Sequence, residues 1–399
     1  MNVEVTLLVL SSLVIFSYGF DLFARRTKIP SVILLLATGV GLAYAGRALG
    51  ISLQGLQQVL PLLGTVGLIL IVLEGALELR LRPEKRAVIR RATAAALAIL
   101  LATAFGAAAL LYFLFEAGPW RLCLLNAIPF AIISSAIAIP SASTLPEEQK
   151  EFVVYESSLS DIFGIVMFNF VLTTTSYNVG AFFKLGGSLV FIICLAFLFC
   201  LGLLFLLKSI AHKVKFLLII AMLMWAYAVG KYFHLPTLLI VLGFGLVLNN
   251  AQAIPFGWFK RYFMYPNFNH DLEQMHSFSG ESAFLVRTFF FLLFGIGIHL
   301  EELQAFNLWL MGGAILIAIY VIRAAYLKFR QRELTITRLF MAPRGLISIL
   351  LFLSIPQAER LGNLNQNVLI LVILGTAVMM TVGLLKARKT AAGDSGAVS

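Results

Sequence analysis

An aspartate, Asp161, lies inside a long apolar stretch of the sequence. It stands about ten residues into the apolar run 151–176, which places it near the middle of a membrane span. A charged group at that depth costs at least about 2.5 kcal/mol to insert, so such residues generally serve a function. Because a carboxylate held away from water binds either a proton or a cation, competition between the two is sufficient for coupled exchange. The alternative is a buried aspartate that only pairs with an arginine.

Two serines adjoin Asp161 on the same predicted helix. Ser157 precedes it by one helical turn, so its hydroxyl is placed to give a hard cation a second oxygen ligand. Ser160 projects about 100° away from Asp161, and we expect it to hydrogen-bond toward a neighbouring broken helix. For each serine the alternative is a hydrogen bond to a carbonyl of its own helix.

Several more charged residues lie inside apolar runs. Glu156 and Arg323 have matching depths, which predicts a buried salt bridge with a structural role, because an unpaired charge there would be costly. Glu74 either reaches the cation path or extends to the membrane interface. Arg287 either forms an ion pair that tunes the site or extends to the interface. Arg344 adjoins a predicted helix break, where we expect it to cap exposed backbone carbonyls.

Thirteen apolar runs carry these residues. The chain is 60% hydrophobic and 12% charged, whereas soluble domains contain about 25% charged residues. Runs of this kind cross a hydrocarbon core of about 30 Å as helices, and they lack the alternation of a membrane barrel. The sequence therefore predicts an all-α polytopic membrane protein with thirteen transmembrane helices. The runs lie near 3–20, 30–46, 58–78, 88–115, 122–144, 151–176, 182–207, 214–232, 236–250, 281–299, 305–327, 334–355 and 367–385.

Basic residues are distributed unequally between the two sides of this topology. Of the 30 lysines and arginines, 22 fall in loops on one side, 5 in loops on the other, and 3 inside runs. This positive-inside bias places the amino terminus outside and the carboxyl terminus in the cytoplasm. The net charge of +11 therefore reflects membrane topology, and we expect no nucleic-acid partner. The first run lacks the flanks of a signal peptide, so we interpret it as a span.

The fifth and twelfth runs contain helix-breaking residues. Broken helices at matching positions of two halves indicate a transporter site. With the seventh span as a linker, each break falls in the fifth span of a six-span half. The alternative is a pair of ordinary membrane helices, in which proline and glycine are frequent. The residues are Pro129, Ser134, Ser135 and Pro140 in the fifth run, and Pro343, Arg344, Gly345 and Pro356 in the twelfth.

Other kinds of functional site have no sequence signal. There is no histidine cluster or cysteine pair at metal-site spacing and no phosphate-binding glycine loop. We therefore expect no enzymatic activity, no transition metal and no cofactor. A gradient is then the expected driving force for transport.

Four segments resemble the monovalent cation/proton antiporters, in particular their NhaP-like and eukaryotic sodium/proton exchanger branch. Residues 156–161, Glu-Ser-Ser-Leu-Ser-Asp, are similar to that branch's Glu-Ser-Leu-Leu-Asn-Asp signature. Residues 73–79, Leu-Glu-Gly-Ala-Leu-Glu-Leu, resemble Phe-Glu-Gly-Ala-Leu-x-Leu. Arg323 resembles the arginine of the eleventh span, and residues 343–348 resemble Gly-Leu-Arg-Gly-Ala-x-Ser. The resemblance covers nearly the whole chain.

This resemblance implies a fold and a set of site residues. The fold is an inverted repeat of six helices with two crossed broken helices, in a homodimer that works by elevator-like movement in the bacterial inner membrane. Asp161 would be the shared cation and proton site, with Ser157 and the Ile133 carbonyl as ligands and Glu74 nearby. The chain departs from the family at Ser160, which replaces an asparagine, at Pro343, which replaces a leucine, and at 133–135, where Ile-Ser-Ser replaces Thr-Asp-Pro. Ser134 thus stands where the family has a second acid.

The resemblance also implies a domain division. Spans 1–3 and 8–10 would form a dimerisation domain, and spans 4–6 and 11–13 a core. The segments are 1–115 for spans 1–4, 116–177 for spans 5 and 6 with the ion site, 178–208 for the linker helix, 209–300 for spans 8–10, 301–385 for spans 11–13, and 386–399 for a disordered cytoplasmic tail.

The function that follows is exchange of Na⁺ or K⁺ for H⁺, with a role in pH homeostasis. A single unpaired acid predicts one cation for one proton, without net charge movement. Three alternatives stay open: an organic-anion symporter, since broken helices can direct their positive ends at an anion, a cation uniporter or channel on the same fold, and a membrane sensor without transport activity.

Overall fold

The protein consists almost entirely of helices joined by short turns and breaks in the part that a computed structural model describes, which comprises residues 3–27, 30–48, 59–79, 83–174, 179–209, 215–232, 238–255, 257–298, 306–331, 335–362, 364 and 366–396. The first helices are α1 (Val3–Thr27), α2 (Ser31–Ala48), α3 (Leu60–Glu78), α4 (Arg86–Ala109), α5 (Trp120–Ala131), α6 (Ser135–Ser141), α7 (Glu147–Thr173) and α8 (Val179–Ser209). The remaining helices are α9 (Lys215–Tyr232), α10 (Leu238–Asn250), α11 (Gly257–Phe263), α12 (Phe268–Ile296), α13 (Phe306–Tyr326), α14 (Ile336–Phe340), α15 (Leu346–Ser354) and α16 (Gln366–Gly396).

Each of the thirteen apolar runs corresponds to a helix or a broken pair of helices. The pair α5 and α6 makes the fifth run, and α14 with α15 makes the twelfth. Within the described residues, seven helical stretches are long and apolar enough to cross a membrane by length and composition alone. Helix α7 is not one of them, because its carboxylates and serines lower its hydropathy. The all-α fold class is therefore confirmed.

Two segments differ from the sequence-based expectation. The apolar runs leave 251–280 as a connection between the ninth and tenth spans, but α12 begins at Phe268, so the described part of the connection before it consists of α11 and short turns. Hydropathy marks only the apolar part of a helix, and 268–280 is a polar extension of the tenth span. Helix α16 likewise continues to Gly396, through the alanine-rich stretch in which the sequence predicts a disordered tail.

Helix packing divides the chain into two sets. The broken-helix set comprises α4–α7 and α13–α16, in which α4 packs on α5, α7 and α13 while α16 packs on α13 and α14. The flanking set comprises α1–α3, α8–α10 and α12, with α12 packed along α2 and α3. The most extensive contacts between the two sets are made by α3 and α10.

Helices α2 and α12 approach each other closely at two glycines. A Cβ on Gly39 would overlap the carbonyl oxygen of Leu292, and a Cβ on Gly295 would lie 2.5 Å from that of Leu36. Small residues permit such backbone approach inside a membrane, where van der Waals packing drives helix association. The flanking set is thereby joined tightly beside α3, which lines the candidate site.

Candidate functional site

The two broken helices meet at their breaks. The backbone of Ser134, in the break between α5 and α6, donates its N–H to the Pro343 carbonyl oxygen at 2.9 Å, in the break between α14 and α15. A Cβ on Gly345 would lie 2.6 Å from Ser134 Oγ and 2.7 Å from Ile137 Cδ1. A larger residue here would therefore require these side chains or the breaks themselves to shift. The crossed broken helices that the sequence predicts are present.

Arg344 fills the crossing with a buried positive charge. Its Nε donates to the Phe130 carbonyl at 2.6 Å and its Nη1 to the Ala342 carbonyl at 3.0 Å. Its backbone N–H donates to Thr376 Oγ1 at 3.0 Å. Phe130 lies in the last turn of α5, where carbonyls lack helical partners and a cation is favourable. Arg344 thus caps carbonyls on both broken helices, as the sequence leads us to expect.

Asp161 lies beside the first break and is only partly hydrogen-bonded. Its Oδ2 accepts from the backbone N–H of Ser135, the first residue of α6, at 3.4 Å. Its Oδ1 is fully buried and has no hydrogen-bond partner among the described residues. The whole Asp161 residue is only 6% exposed to solvent. A buried carboxylate oxygen without a partner is unusual in a folded protein.

A small cavity of about 10 Å³ adjoins Asp161. This is close to the smallest volume that holds one water molecule. None of its described lining residues is basic, so Asp161 does not face an arginine there. The lining residues are Ile71, Val72, Gly75, Ala76, Leu79, Ser158, Asp161, Ile162, Ile165, Leu242 and Ile347.

The serines around Asp161 make different bonds. Ser157 Oγ donates back to its own helix, to the Val153 carbonyl at 2.8 Å. Ser160 Oγ accepts from the backbone N–H of Ile133 at 3.0 Å, so it bonds toward the broken helix. Ser134 Oγ is buried without a partner in the described structure. The first break, with Ile133 and Ser134, is thus attached to α7 through Ser160.

Glu156 and Arg323 form a fully buried ion pair. Arg323 Nη1 and Nη2 donate to the two carboxylate oxygens at 2.7 and 2.8 Å, and both residues are 1% exposed. Arg323 Nε also donates to the Arg338 carbonyl at 2.9 Å, and Nη2 to the Met341 carbonyl at 3.3 Å. The pair therefore connects α7 and α13 to the segment that leads into the second break.

Glu74 and Arg287 face a second cavity, of about 30 Å³, between α3, α6 and α12. Arg287 Nη1 donates to the Ala136 carbonyl in α6 at 3.2 Å. Glu78, one turn after Glu74, lines the same cavity. The two cavities have Ile71 and Gly75 in common. Both Glu74 and Arg287 therefore line a cavity beside the first broken helix.

Sequence reasoning missed two residues that the structure places at these cavities, Ser158 beside Asp161 and Glu78 beside Glu74. Helical spacing carries a signal for both, since Ser158 precedes Asp161 by three residues and Glu78 follows Glu74 by four. Ser135 was predicted as part of the break, but not the contact of its N–H with Asp161. The contact of Ser135 depends on where α6 begins, for which the sequence has no sharp signal.

The chain is similar to known proteins over nearly its whole length. A family model described as "Sodium/hydrogen exchanger, transmembrane" matches residues 9–387. The fold resembles that of the sodium proton antiporter MjNhaP1 from Methanocaldococcus jannaschii at pH 8, with a TM-score of 0.68 and 18% identity, over 96% of this chain and 99% of that chain. An electron-microscopy map of MjNhaP1 gives a TM-score of 0.63 and 19% identity, over 98% and 97% of the two chains. No curated protein matches the sequence.

Proposed function

The chain belongs to the sodium/hydrogen exchanger family, and from that premise we propose that it exchanges one Na⁺ for one H⁺ through Asp161. The observation that carries this proposal is the state of the carboxylate. One of its oxygens is buried without a partner, and no basic residue lines the described cavity that it faces. A carboxylate in that position is available to a cation or a proton. K⁺ is the alternative cation.

Charge balance explains why the two ions would be exchanged one for one. With a proton bound, Asp161 is neutral, and with a monovalent cation bound the site is neutral as well. The empty site carries a negative charge in an apolar cavity, which is unfavourable because the charge has lost its water. Only the proton-bound and the cation-bound forms of the site then move readily from one side of the membrane to the other. A full cycle therefore moves no net charge.

We infer that the broken-helix set moves against the flanking set, in the manner of an elevator. The two broken helices are held to each other by Ser134 and Arg344, and to α7 by Ser160, so Asp161 would move with them. The cavity at Asp161 lies at the boundary, because α3 and α10 of the flanking set supply part of its lining. Sliding at this boundary would expose the cavity to each side in turn.

The other candidate residues receive supporting roles in this proposal. Ile133 and Ser134 lie in the first break, where a backbone carbonyl and a hydroxyl could contact a cation. Glu74 and Arg287 lie on the cavity next to Asp161, which we assign to cation access. Under the predicted orientation this cavity faces the cytoplasm. Glu156, Arg323 and Arg344 would keep the site rigid.

We further infer that the protein is a homodimer in a bacterial inner membrane, surrounded by lipid. The distribution of basic residues supports a cytoplasmic carboxyl terminus.

An organic anion is a poor fit as substrate, because the cavity of about 10 Å³ holds one carboxylate and no basic residue in its described lining.

Purified protein in liposomes tests this function. Na⁺ or K⁺ is added to vesicles that contain a pH-sensitive dye, and a potential-sensitive dye is followed in parallel. We expect proton movement driven by either gradient, without current. Proton movement that generates a potential would contradict the one-for-one stoichiometry. A preparation that stays folded and exchanges neither cation would contradict the antiport function.

A further inference from the structure

We propose that Ser158, and not Ser157, supplies the hydroxyl that binds the cation beside Asp161 and so sets the cation affinity. This inference rests on the proposed function and deepens it. Ser158 Oγ and Asp161 Oδ1 are both buried, and neither has a hydrogen-bond partner in the described part of the chain. Buried polar atoms are nearly always bonded, so each such atom requires an explanation. Here two of them occur three residues apart on one helix.

Both side chains line the same cavity of about 10 Å³. All the other described lining side chains are apolar or glycine. Hard cations take oxygen ligands, so a cation in this space has the Asp161 carboxylate and the Ser158 hydroxyl as its side-chain ligands. The cavity has room for about one water-sized particle, which favours a cation that has lost most of its water.

Ser157 is the other serine within reach of Asp161 by helical spacing. Its hydroxyl is turned toward its own helix, because it donates to the Val153 carbonyl at 2.8 Å and approaches the Val154 carbonyl at 3.3 Å. These bonds leave the lone pairs of the oxygen free, so what counts against Ser157 is its position. It does not appear in the lining of the cavity. Such back-bonding is common for serine in membrane helices.

The sequence of this chain differs from the family signature at the position concerned. Glu-Ser-Leu-Leu-Asn-Asp has leucine where this chain has Ser158, and asparagine where it has Ser160. Ser160 Oγ accepts from the Ile133 N–H, so it holds the break. Ser158 adds an oxygen on the side of α7 that faces α3 and α10. The chain therefore moves a cation ligand toward the boundary between the two helix sets.

Three serine variants test the assignment in liposomes. We expect Ser158→Ala to raise the Na⁺ concentration at half-maximal exchange about tenfold, as for the loss of one polar contact to a charge, with an unchanged maximal rate. Ser158→Thr keeps the hydroxyl and should restore the affinity. Ser157→Ala is the matched control and should change the affinity less than about twofold. An unchanged Ser158→Ala affinity, or a larger effect of Ser157→Ala, would overturn the proposal.

Thermal melts with and without NaCl separate this inference from the proposed function. Na⁺ should raise the melting temperature of wild type and Ser157→Ala, and much less that of Ser158→Ala, whose melt without Na⁺ should match wild type. If wild type is stabilised by Na⁺ but exchanges no ions, the antiport function fails while the melts still decide the role of Ser158. Equal stabilisation of Ser158→Ala and wild type would refute that role.

Discussion

Glu156 and Asp161 are two buried carboxylates five residues apart on α7, and their surroundings are opposite. Both oxygens of Glu156 accept short bonds from Arg323. Asp161 receives one longer bond from the Ser135 N–H, and its second oxygen has no partner in the described structure. The same helix thus carries one carboxylate that is fully paired and one that is left available.

The difference separates stability from function. A buried ion pair adds little stability, but loss of one partner is strongly unfavourable, because a bare charge remains. A buried charge without a partner is itself unfavourable, and it persists where function requires it. We therefore expect the Glu156–Arg323 pair to be needed for stability once it is in place, whereas the proposed function assigns the ion chemistry to Asp161. Substitutions at the two positions should produce opposite combinations of activity and stability.

The largest effect is expected at Asp161. Asp161→Asn keeps the shape of the side chain but removes the charge, so it should abolish cation/proton exchange completely. The free energy of unfolding should stay equal or rise, because a buried charge has been removed. Exchange in liposomes and the melting temperature in detergent measure the two quantities. Residual coupled exchange would show that another group carries the ion.

Substitution in the Glu156–Arg323 pair should lower the stability of the protein, unlike substitution of Asp161. Arg323→Met leaves Glu156 buried without its partner and should lower the stability by about 3–5 kcal/mol. The double variant Glu156→Leu/Arg323→Met removes both charges and should recover most of this loss. Denaturant unfolding of the two variants measures the difference. If the double variant is as unstable as the single one, hydrogen bonds from Arg323 to the Arg338 and Met341 carbonyls dominate instead.

The sequence predicts the partner of Glu156 better than it predicts the neighbours of Asp161. Membrane depth alone was sufficient to propose Glu156 with Arg323, because an unpaired charge is so costly that few partners are possible. Apolar runs likewise predicted the all-α fold, since each run corresponds to a helix or a broken pair of helices. The sequence could not predict whether Ser157 or Ser158 lines the cavity, since both lie within about one turn of Asp161. The packing of α3 and α10 against α7 decides which of them does. The early start of α12 was missed because polar helical turns outside the apolar run leave no hydropathy signal.

The crossing of the broken helices supports both carboxylates, and Gly345 tests it. A Cβ there would meet Ser134 Oγ at 2.6 Å. Gly345→Ala should therefore push the breaks apart, lower the stability by about 1–3 kcal/mol, and reduce the exchange rate, because Ser135 positions Asp161. Gly313→Ala on α13 is the matched control, since a Cβ there meets nothing within 4 Å. Equal behaviour of the two variants would show that the crossing adapts.

The smallest effect is expected at Glu78, whose situation lies between those of the two carboxylates. Glu74 and Glu78 line a cavity with Arg287, so two carboxyl groups share one positive charge. Glu78→Gln removes one of these carboxyl groups, whose ionised form attracts a cation toward Asp161. Through water a unit charge contributes about 1 kcal/mol at 4 Å and less at longer range, so the Na⁺ concentration at half-maximal exchange should rise about two- to fivefold, with the maximal rate unchanged.

Glu84→Gln provides the comparison for Glu78, because it makes the same charge change at an exposed residue of the turn that precedes α4. Salt screens exposed charges over about 10 Å at 0.1 M, so this variant should match wild type at that ionic strength. Equal shifts in the two variants would mean that general surface charge attracts the cation. A total loss of exchange in Glu78→Gln would place Glu78 beside Asp161 as a second carrier, and the contrast between one available carboxylate and one paired carboxylate would no longer describe the site.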